Sequence, residues 1–216
     1  MPESAAEKPA LIADPAPLGL AGFGLTTLIL SIVNAGWFGN AAIVPLTSTT
    51  LSMAVAYGGL AQFIAGLWAF RRGNTFAATA FCSYGAFWFS FYLLVQNYLG
   101  PTIKGAPNAT LGWVGLYLLA WGIFTAYMFI ASLHGSKAVT VVFLLLTLTF
   151  VVLAIGWFAG GNVPAFAANA DGWITFGGYL GILTAIAALY GSFADVTNGS
   201  FGRVVLPVGK PFVPPA

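Results

Sequence analysis

Charged side chains are the scarcest feature of this sequence. Its 216 residues include 7 lysines and arginines and 5 aspartates and glutamates, which is 6% of the chain, whereas soluble domains usually carry about 25%. The net charge of +2 is too small, and its charges are too scattered, to predict binding to nucleic acid. With 59% hydrophobic residues, the composition excludes an ordinary soluble fold and predicts a protein of the lipid bilayer.

Residues that carry catalysis or bind metals are equally few. The chain has one cysteine, Cys82, and one histidine, His134. A single thiol cannot form a disulfide within the chain, and no cluster of histidines, cysteines and carboxylates resembles a metal site or a catalytic triad. We therefore predict no metal, no cofactor and no enzymatic activity.

Prolines are absent from the interior of every long apolar stretch. All 12 of them lie outside or at the entrances of six stretches of about 20 residues, the length of helix that crosses a hydrocarbon core of about 30 Å. The predicted spans are 18–36, 49–70, 76–98, 111–133, 138–158 and 173–193. We therefore expect no proline-broken helix of the kind that often builds ion sites in secondary transporters.

These stretches are continuously apolar and lack the alternation of a transmembrane β-strand. Because backbone groups in lipid must be satisfied within the segment, the spans should be helices. The sequence thus predicts an all-α integral membrane bundle of six transmembrane helices at 18–193. A polar N-terminal tail at 1–17 precedes it, and a cytoplasmic C-terminal tail at 194–216 follows it.

Lysines and arginines predict the orientation of the bundle. One side holds both tails and the loops after the second and fourth spans, with Lys8, Arg71, Arg72, Lys137, Arg203 and Lys210. The opposite side holds only Lys104. Because cytoplasmic loops are enriched in lysine and arginine, we expect both termini in the cytoplasm and a multi-pass protein of the cell (inner or plasma) membrane.

Polar residues inside the spans are candidates for a substrate path. The third span carries a small, weakly polar face at spacings of three and four, formed by Thr75, Thr79, Cys82 or Ser83, Ala86 and Ser90. Such a face either lines a path or packs against another helix, since small residues let helices approach closely. Asn34 and Gln62 pose the same alternative, because a buried amide needs partners for several donors and acceptors.

Eight short motifs run in order along nearly the whole chain. They are D-P-A-P-L-G-L at 14–20, G-F-G-L-T-T at 22–27, N-A-G at 34–36, Y-G-G-L-A-Q at 57–62, G-N-T-F at 73–76, S-Y-G at 83–85, G-I-F-T at 122–125 and F-G-R at 201–203. Together they resemble the acetate uptake transporter family, the succinate–acetate permeases. The pair G-N-T-F and S-Y-G is the most specific part of the resemblance.

The resemblance implies a permease or channel for small monocarboxylates, chiefly acetate and for some members succinate. It also implies a homo-hexamer in which each protomer encloses its own pore. By matching position, Phe23, Tyr84 and Leu146 look like the apolar constriction of that pore. The polar pore-lining candidates are Thr26, Asn34, Gln62, Asn74, Thr79 and Ser83.

Residue counting places the three constriction residues at one depth. They lie on the first, third and fifth spans, which all run in the same direction in the predicted topology. Each is five to eight residues from the start of its span, or about 8–12 Å deep at 1.5 Å per residue. We therefore expect Phe23, Tyr84 and Leu146 to form one ring across the pore, in its cytoplasmic half.

Two positions depart from the family pattern. Asp14 replaces the usual asparagine of the first motif, and Ala69 stands where members often have a glutamate. The first change adds an acid near the cytoplasmic entrance, so the usual hydrogen bonds of the motif are not assured in this chain. The second removes a carboxylate that could serve gating or proton coupling.

The charge of the substrate is the main physical obstacle to carboxylate transport by this chain. No lysine or arginine lies inside the spans, and an unpaired carboxylate is very unfavourable in apolar surroundings. The substrate could cross as a partly hydrated anion or as the neutral acid, so passive conduction and proton symport both stay open. Two rival functions remain. One is a structural or signalling membrane protein without transport, and the other is a pore for ammonium or another small solute.

Overall fold

A computed structural model of the protein describes residues 12–37, 43–99, 112–160 and 172–213. These ranges contain the helices α1 (Ala16–Ala35), α2 (Ile43–Val55), α3 (Gln62–Arg71), α4 (Thr75–Leu93), α5 (Gly112–Ser132), α6 (Lys137–Gly160) and α7 (Gly172–Phe201). A π-helical turn, Ala56–Ala61, joins α2 to α3 without a break, and a second, Leu94–Leu99, extends α4. Within the described part of the chain, six helices are therefore long and apolar enough to cross a membrane. The prediction of an all-α bundle with six spans is confirmed.

Two helix ends differ from the sequence prediction. Helix α2 begins at Ile43, six residues before the predicted span at 49, because Pro45 falls in its first turn, where the missing N–H is not needed. Helix α7 continues to Phe201, past the predicted end at 193, and has 30 residues. Asp195 and Asn198 lower the hydropathy after 193, but the helix persists until Gly202, whose φ is +61°. Residues 194–201 thus extend the last helix.

The six spans pack side by side in chain order and close on themselves. Helix α3 packs on α4, α5 on α6, and α6 on α7, while α7 returns to α1 in the most extensive contact of the bundle. Among spans that are neighbours in the chain, the backbones of α4 and α5 approach each other least closely. Aromatic side chains such as Phe87 and Trp121 lie between them, with ring centroids 5.2 Å apart. This arrangement surrounds a central axis, and the candidate site lies along it.

The α1–α7 contact depends on glycine. A Cβ on Gly178 would collide with the backbone of Ala35 on α1. Likewise, a Cβ on Gly22 would lie 2.7 Å from the carbonyl oxygen of Tyr57 in the first π-helical turn. Neither collision involves a flexible side chain that could move away. Close backbone approach at these two positions therefore holds α1 against its neighbours on both sides.

Both tails meet at one end of the bundle, which we call the tail-side end. Near the start of α1, the guanidinium of Arg72 donates to the carbonyl oxygen of Ile12 at 2.8 Å. The C-terminal segment returns to the α5–α6 turn, where the backbone N–H of Ala138 donates to Val208 O at 2.9 Å. The described parts of both tails thus share one end, as an even number of spans requires. Residues 1–11 and Lys104 lie outside the described residues, and the cytoplasmic orientation remains a prediction.

Candidate functional site

A cavity of about 210 Å³ lies inside the bundle at the tail-side end. We call it the tail-side cavity. The starts of α1, α4 and α6 and the end of α7 surround it. Its wall includes Phe23, Gln62, Tyr84, Leu146 and Asp195.

A second cavity lies toward the opposite end, and we call it the far-side cavity. It has a volume of about 80 Å³. One buried water needs a cavity volume of about 10–15 Å³. The far-side cavity therefore has room for several waters or for one small organic acid. Its wall is mostly apolar and includes Phe23, Thr27, Asn34, Trp88 and Leu146.

Phe23 and Leu146 line both cavities, so they lie at the boundary between them. Tyr84 lines the tail-side cavity, and its ring centroid is 5.7 Å from that of Phe23. The three side chains, which we call the apolar triad, come from α1, α4 and α6 and are 3–5% exposed. The structure thus brings the three predicted constriction residues together inside one protomer, away from the outer surface of the bundle.

Tyr84 is held by aromatic contacts on several sides. Besides Phe23, its ring packs against Phe124 at 5.4 Å, Phe143 at 6.1 Å and Trp121 at 6.2 Å between centroids. These partners belong to α5 and α6. Such tilted and edge-to-face pairs stabilise by about 0.5–1.5 kcal/mol each beyond their burial. The phenol ring is therefore fixed at the boundary between the cavities.

The hydroxyl of Tyr84 has a defined hydrogen-bond role. Thr125 donates its only hydroxyl proton to the carbonyl oxygen of Trp121 at 2.7 Å. The 3.0 Å contact between Tyr84 Oη and Thr125 Oγ1 must therefore carry the Tyr84 proton, because a hydroxyl has one proton to donate. In this arrangement the Tyr84 oxygen can accept a further hydrogen bond but cannot donate one.

Three predicted polar candidates line the cavities. Asn34 lies on the far-side cavity, and Gln62 and Asn74 lie on the tail-side cavity. Gln62 is 1% exposed, and its Oε1 has no hydrogen-bond partner among the described residues. Asn74 uses its Oδ1 to cap α4, accepting from the N–H of Ala77 at 2.9 Å. Its amide nitrogen is not needed for that cap.

The other three candidates line neither cavity. Thr26 is fully buried against the π-helical turn, where a Cβ on Gly58 would lie 2.7–2.9 Å from its side-chain atoms. Thr79 is half-buried, and Ser83 lies in a shallow depression between α4 and α5 with Ala86. The small face of the third span therefore lines neither cavity, whereas the adjacent face with Tyr84 and Trp88 borders them.

Most of the residues that line the two cavities were not among the predicted site residues, and Thr27, Trp88 and Asp195 are three of these. Thr27 follows Thr26 directly, and only its position on the helix separates a cavity residue from a packed one. Trp88 lies four residues after Tyr84, and that spacing, which places both on one helix face, was an available signal. Asp195 lies beyond the predicted end of the sixth span, so the hydropathy pattern gave no reason to place it inside the bundle.

The electrostatics of the two cavities differ. No lysine or arginine lines either cavity in the described part of the chain, and Asp195 is the one aspartate or glutamate on their walls. This carboxylate is partly buried and interacts unfavourably with that of Asp14. An ionisable side chain inside a membrane bundle is by default a candidate for function. The tail-side cavity therefore carries a negative group that the far-side cavity lacks.

The two departures from the family pattern have clear structural settings. Asp14 Oδ1 accepts from the N–H of Ala16 at 3.0 Å, so the start of α1 keeps a side-chain acceptor. Its other oxygen is 4.0 Å from the guanidinium of Arg72, an exposed ion pair of a kind that usually contributes little. Ala69 is fully buried and lines neither cavity.

Comparisons with known proteins agree with this architecture. The chain is 43% identical over 200 residues to the succinate-acetate/proton symporter SatP of Escherichia coli (strain K12), covering 92% of this chain and 96% of that protein. It is 37% identical to acetate permease A of Emericella nidulans, covering 91% of this chain and 65% of that protein. A solved structure of the bacterial acetate channel SatP matches with a TM-score of 0.76 and 40% identity, covering 92% of this chain and 99% of that one.

These matches extend over the whole six-span bundle, and the resemblance to acetate uptake transporters is confirmed. The chain is a multi-pass membrane protein. Residues 1–210 match a single family. The chain therefore belongs to the GPR1/FUN34/yaaH family.

Proposed function

We propose that this protein passes acetate and similar small carboxylates, succinate among them, across the cell membrane through a pore within each protomer. The observation that carries the proposal is the pair of cavities on one axis, separated by the apolar triad. The named activities of the relatives, a succinate-acetate/proton symporter and an acetate permease, support the same substrate class.

The apolar triad would select by size and by polarity. Three buried apolar side chains present no charge to an ion, and an apolar constriction excludes hydrated ions by dewetting. A small acid with a methyl end can replace water there at lower cost. The hydrogen-bond arrangement of Tyr84 favours the protonated acid at this point, since its oxygen accepts but does not donate. Crossing as the neutral acid would couple one proton to each carboxylate.

The tail-side end would face the cytoplasm, because Arg71, Arg72, Lys137, Arg203 and Lys210 all belong to it. The family resemblance implies that the protein would assemble as a homo-hexamer in the lipid bilayer. Each protomer would conduct by itself, since the two cavities lie inside one bundle. Gln62 and Asn74 would offer polar contacts on the tail side of the apolar triad, and Asn34 on the far side.

Uptake into reconstituted vesicles tests the proposal. Purified protein is reconstituted into liposomes, and uptake of labelled acetate is measured with and without an inwardly directed proton gradient. We expect uptake above the lipid leak, with stimulation by the proton gradient. Uptake equal to that of protein-free liposomes would reject the transport proposal and favour a structural or signalling protein.

Competition separates the remaining alternative. Unlabelled succinate and propionate should inhibit acetate uptake, whereas ammonium chloride should not inhibit beyond its effect on internal pH, which an internal dye reports. Ammonium inhibition at constant internal pH would instead favour an ammonium pore.

A further inference from the structure

Thr125 contacts the apolar triad from outside both cavities. It is fully buried on α5, ends the G-I-F-T motif at 122–125 and lines neither cavity. Its Oγ1 is 3.0 Å from Oη of Tyr84, a side chain that does line the tail-side cavity. The cavity walls alone therefore give Thr125 no role in transport, and its contact with Tyr84 is the feature to explain.

The direction of this hydrogen bond is set by a third group. Thr125 Oγ1 is 2.7 Å from the carbonyl oxygen of Trp121, one turn earlier on the same helix. A carbonyl oxygen only accepts, and a threonine hydroxyl has one proton, so Thr125 donates to Trp121. Tyr84 must then donate its own proton to Thr125. The phenol proton is thus directed at α5 and is not free to bond a molecule in the cavity.

The position of this proton decides which form of a carboxylic acid the constriction can bind. A carboxylate anion only accepts hydrogen bonds, whereas the protonated acid can also donate one. With its proton on Thr125, the Tyr84 oxygen offers an acceptor and no donor. Phe23 and Leu146, the other members of the apolar triad, have no polar side-chain atoms. An anion therefore finds no donor among the three side chains, and its desolvation there is uncompensated.

A freed Tyr84 hydroxyl would reverse this preference. Thr125 is the one hydrogen-bond partner of the Tyr84 hydroxyl in the described part of the chain. A buried hydroxyl without a partner is costly, so the freed proton would bond an acceptor that enters the constriction. A carboxylate anion is the better acceptor, since hydrogen bonds to charged groups are stronger than neutral ones.

We infer that Thr125 is a positioning residue for transport, which accepts the Tyr84 proton and thereby keeps carboxylate anions from crossing the apolar triad. The inference rests on the proposed function, because it takes the boundary between the cavities to be the place where the carboxylate passes. It adds a side chain outside the path that determines which protonation state of the substrate crosses.

The chain offers matched variants for the test. Thr125→Val removes the hydroxyl at similar volume, Thr125→Ala removes it with less volume, and Thr125→Ser keeps it. Thr184→Val is the control, because Thr184 is also fully buried, donates to the carbonyl oxygen of Leu180 at 2.8 Å and lines neither cavity. The double variant Thr125→Val/Tyr84→Phe lacks both the threonine acceptor and the freed donor.

Uptake driven by membrane potential distinguishes the anion from the neutral acid, because only the anion carries charge. Liposomes with valinomycin and a potassium gradient receive an inside-positive potential at equal pH on both sides, and uptake of labelled acetate is normalised to folded protein. Thr125→Val and Thr125→Ala should raise the potential-dependent part of uptake about tenfold, as expected when a hydrogen bond to a charged group becomes available. Thr125→Ser, Thr184→Val and the double variant should stay within about twofold of the unmodified protein.

A second measurement reads the hydrogen bond without transport. With tyrosine labelled with ¹³C at Cζ, the carbon that bears the hydroxyl, the resonance that disappears in Tyr84→Phe is the Tyr84 signal. In detergent this signal should shift in Thr125→Val, because the hydroxyl loses its acceptor. It should keep its position in Thr184→Val.

The outcomes separate the inference from the proposed function. Normal acetate uptake with unchanged potential dependence in Thr125→Val, or with an increase that persists in the double variant, would overturn the inference and leave the transport proposal standing. A Tyr84 signal that does not respond to Thr125→Val would also overturn it. Absence of uptake by the unmodified protein, together with a shifted Tyr84 signal in Thr125→Val, would reject the proposed function and leave Thr125 as the residue that orients Tyr84.

Discussion

Replacement of Tyr84 tests whether the apolar triad controls passage by its volume. Tyr84→Phe keeps the ring and removes the hydroxyl. Tyr84→Ala removes the ring, which packs against Phe23 at 5.7 Å and against Phe124 at 5.4 Å. The first variant leaves the boundary between the cavities closed, and the second opens it.

The structure gives the size of each effect. In Tyr84→Phe, Thr125 loses a donor but keeps its bond to the carbonyl oxygen of Trp121. One neutral hydrogen bond contributes about 0.5–1.5 kcal/mol. A change of that size in the barrier changes the rate of passage by at most about tenfold. In Tyr84→Ala, truncation of a buried aromatic side chain costs about 3–5 kcal/mol of stability. We also expect it to widen the boundary between the cavities of about 80 and 210 Å³, because Tyr84 packs against Phe23 there.

Uptake of acetate and butyrate by reconstituted vesicles, normalised to the amount of folded protein, measures the result. Tyr84→Phe should keep the butyrate-to-acetate ratio of the unmodified protein within about threefold, since one lost hydrogen bond leaves the width of the boundary unchanged. Tyr84→Ala should raise that ratio about tenfold, because a steric barrier worth about 1.4 kcal/mol is enough for such a change. If the Phe variant were altered as much as the Ala variant, the hydroxyl and not the ring volume would control passage, and the reasoning would be refuted.

Three further predictions concern the surroundings of the path. Asp195→Asn should increase acetate entry from the tail side at neutral pH, because it removes the negative charge from that cavity; Asp14→Asn, outside both cavities, should have less effect in the same vesicle assay. Ala69→Glu should add a pH dependence to uptake, since it places a carboxyl group at a fully buried position, where the charged form is disfavoured. An unchanged pH profile would show that position 69 has no part in proton coupling. Gly178→Ala should lower the midpoint temperature of thermal unfolding in detergent, because the new Cβ would collide with the backbone of α1. Gly199→Ala on the same helix should not lower it, because no atoms lie near the new Cβ.

The spans were predictable because lipid imposes a simple rule on the chain. Backbone groups must bond within the segment and side chains must be apolar over about 20 residues, so hydropathy marks each helix. That rule weakens at the ends, where water is present again, and it stopped the sixth span at 193 although the helix continues to Phe201. Asp195 was missed for this reason.

The candidate site was predictable where it is apolar and less so where it is polar. Phe23, Tyr84 and Leu146 were placed by the family resemblance and by counting residues along the spans, and large side chains at one depth meet wherever helices surround an axis. For hydroxyls, one step along the helix turns the side chain by about 100°. Thr26 and Thr27 therefore differ in position although they are identical in chemistry, and only the packing of α1 against the π-helical turn decides which one borders a cavity.

The polar groups along the proposed path are arranged unequally, and this asymmetry bears on proton coupling. In the described part of the chain, the far-side cavity is lined by no aspartate, glutamate, lysine or arginine. At the apolar triad the Tyr84 oxygen can only accept a hydrogen bond, and Asp195 lines the tail-side cavity beyond it. A carboxylate that gains a proton becomes a hydrogen-bond donor itself and matches these acceptors. On this path, the acceptors at and beyond the apolar triad would favour the movement of one proton with each carboxylate, without a dedicated carboxyl group at position 69.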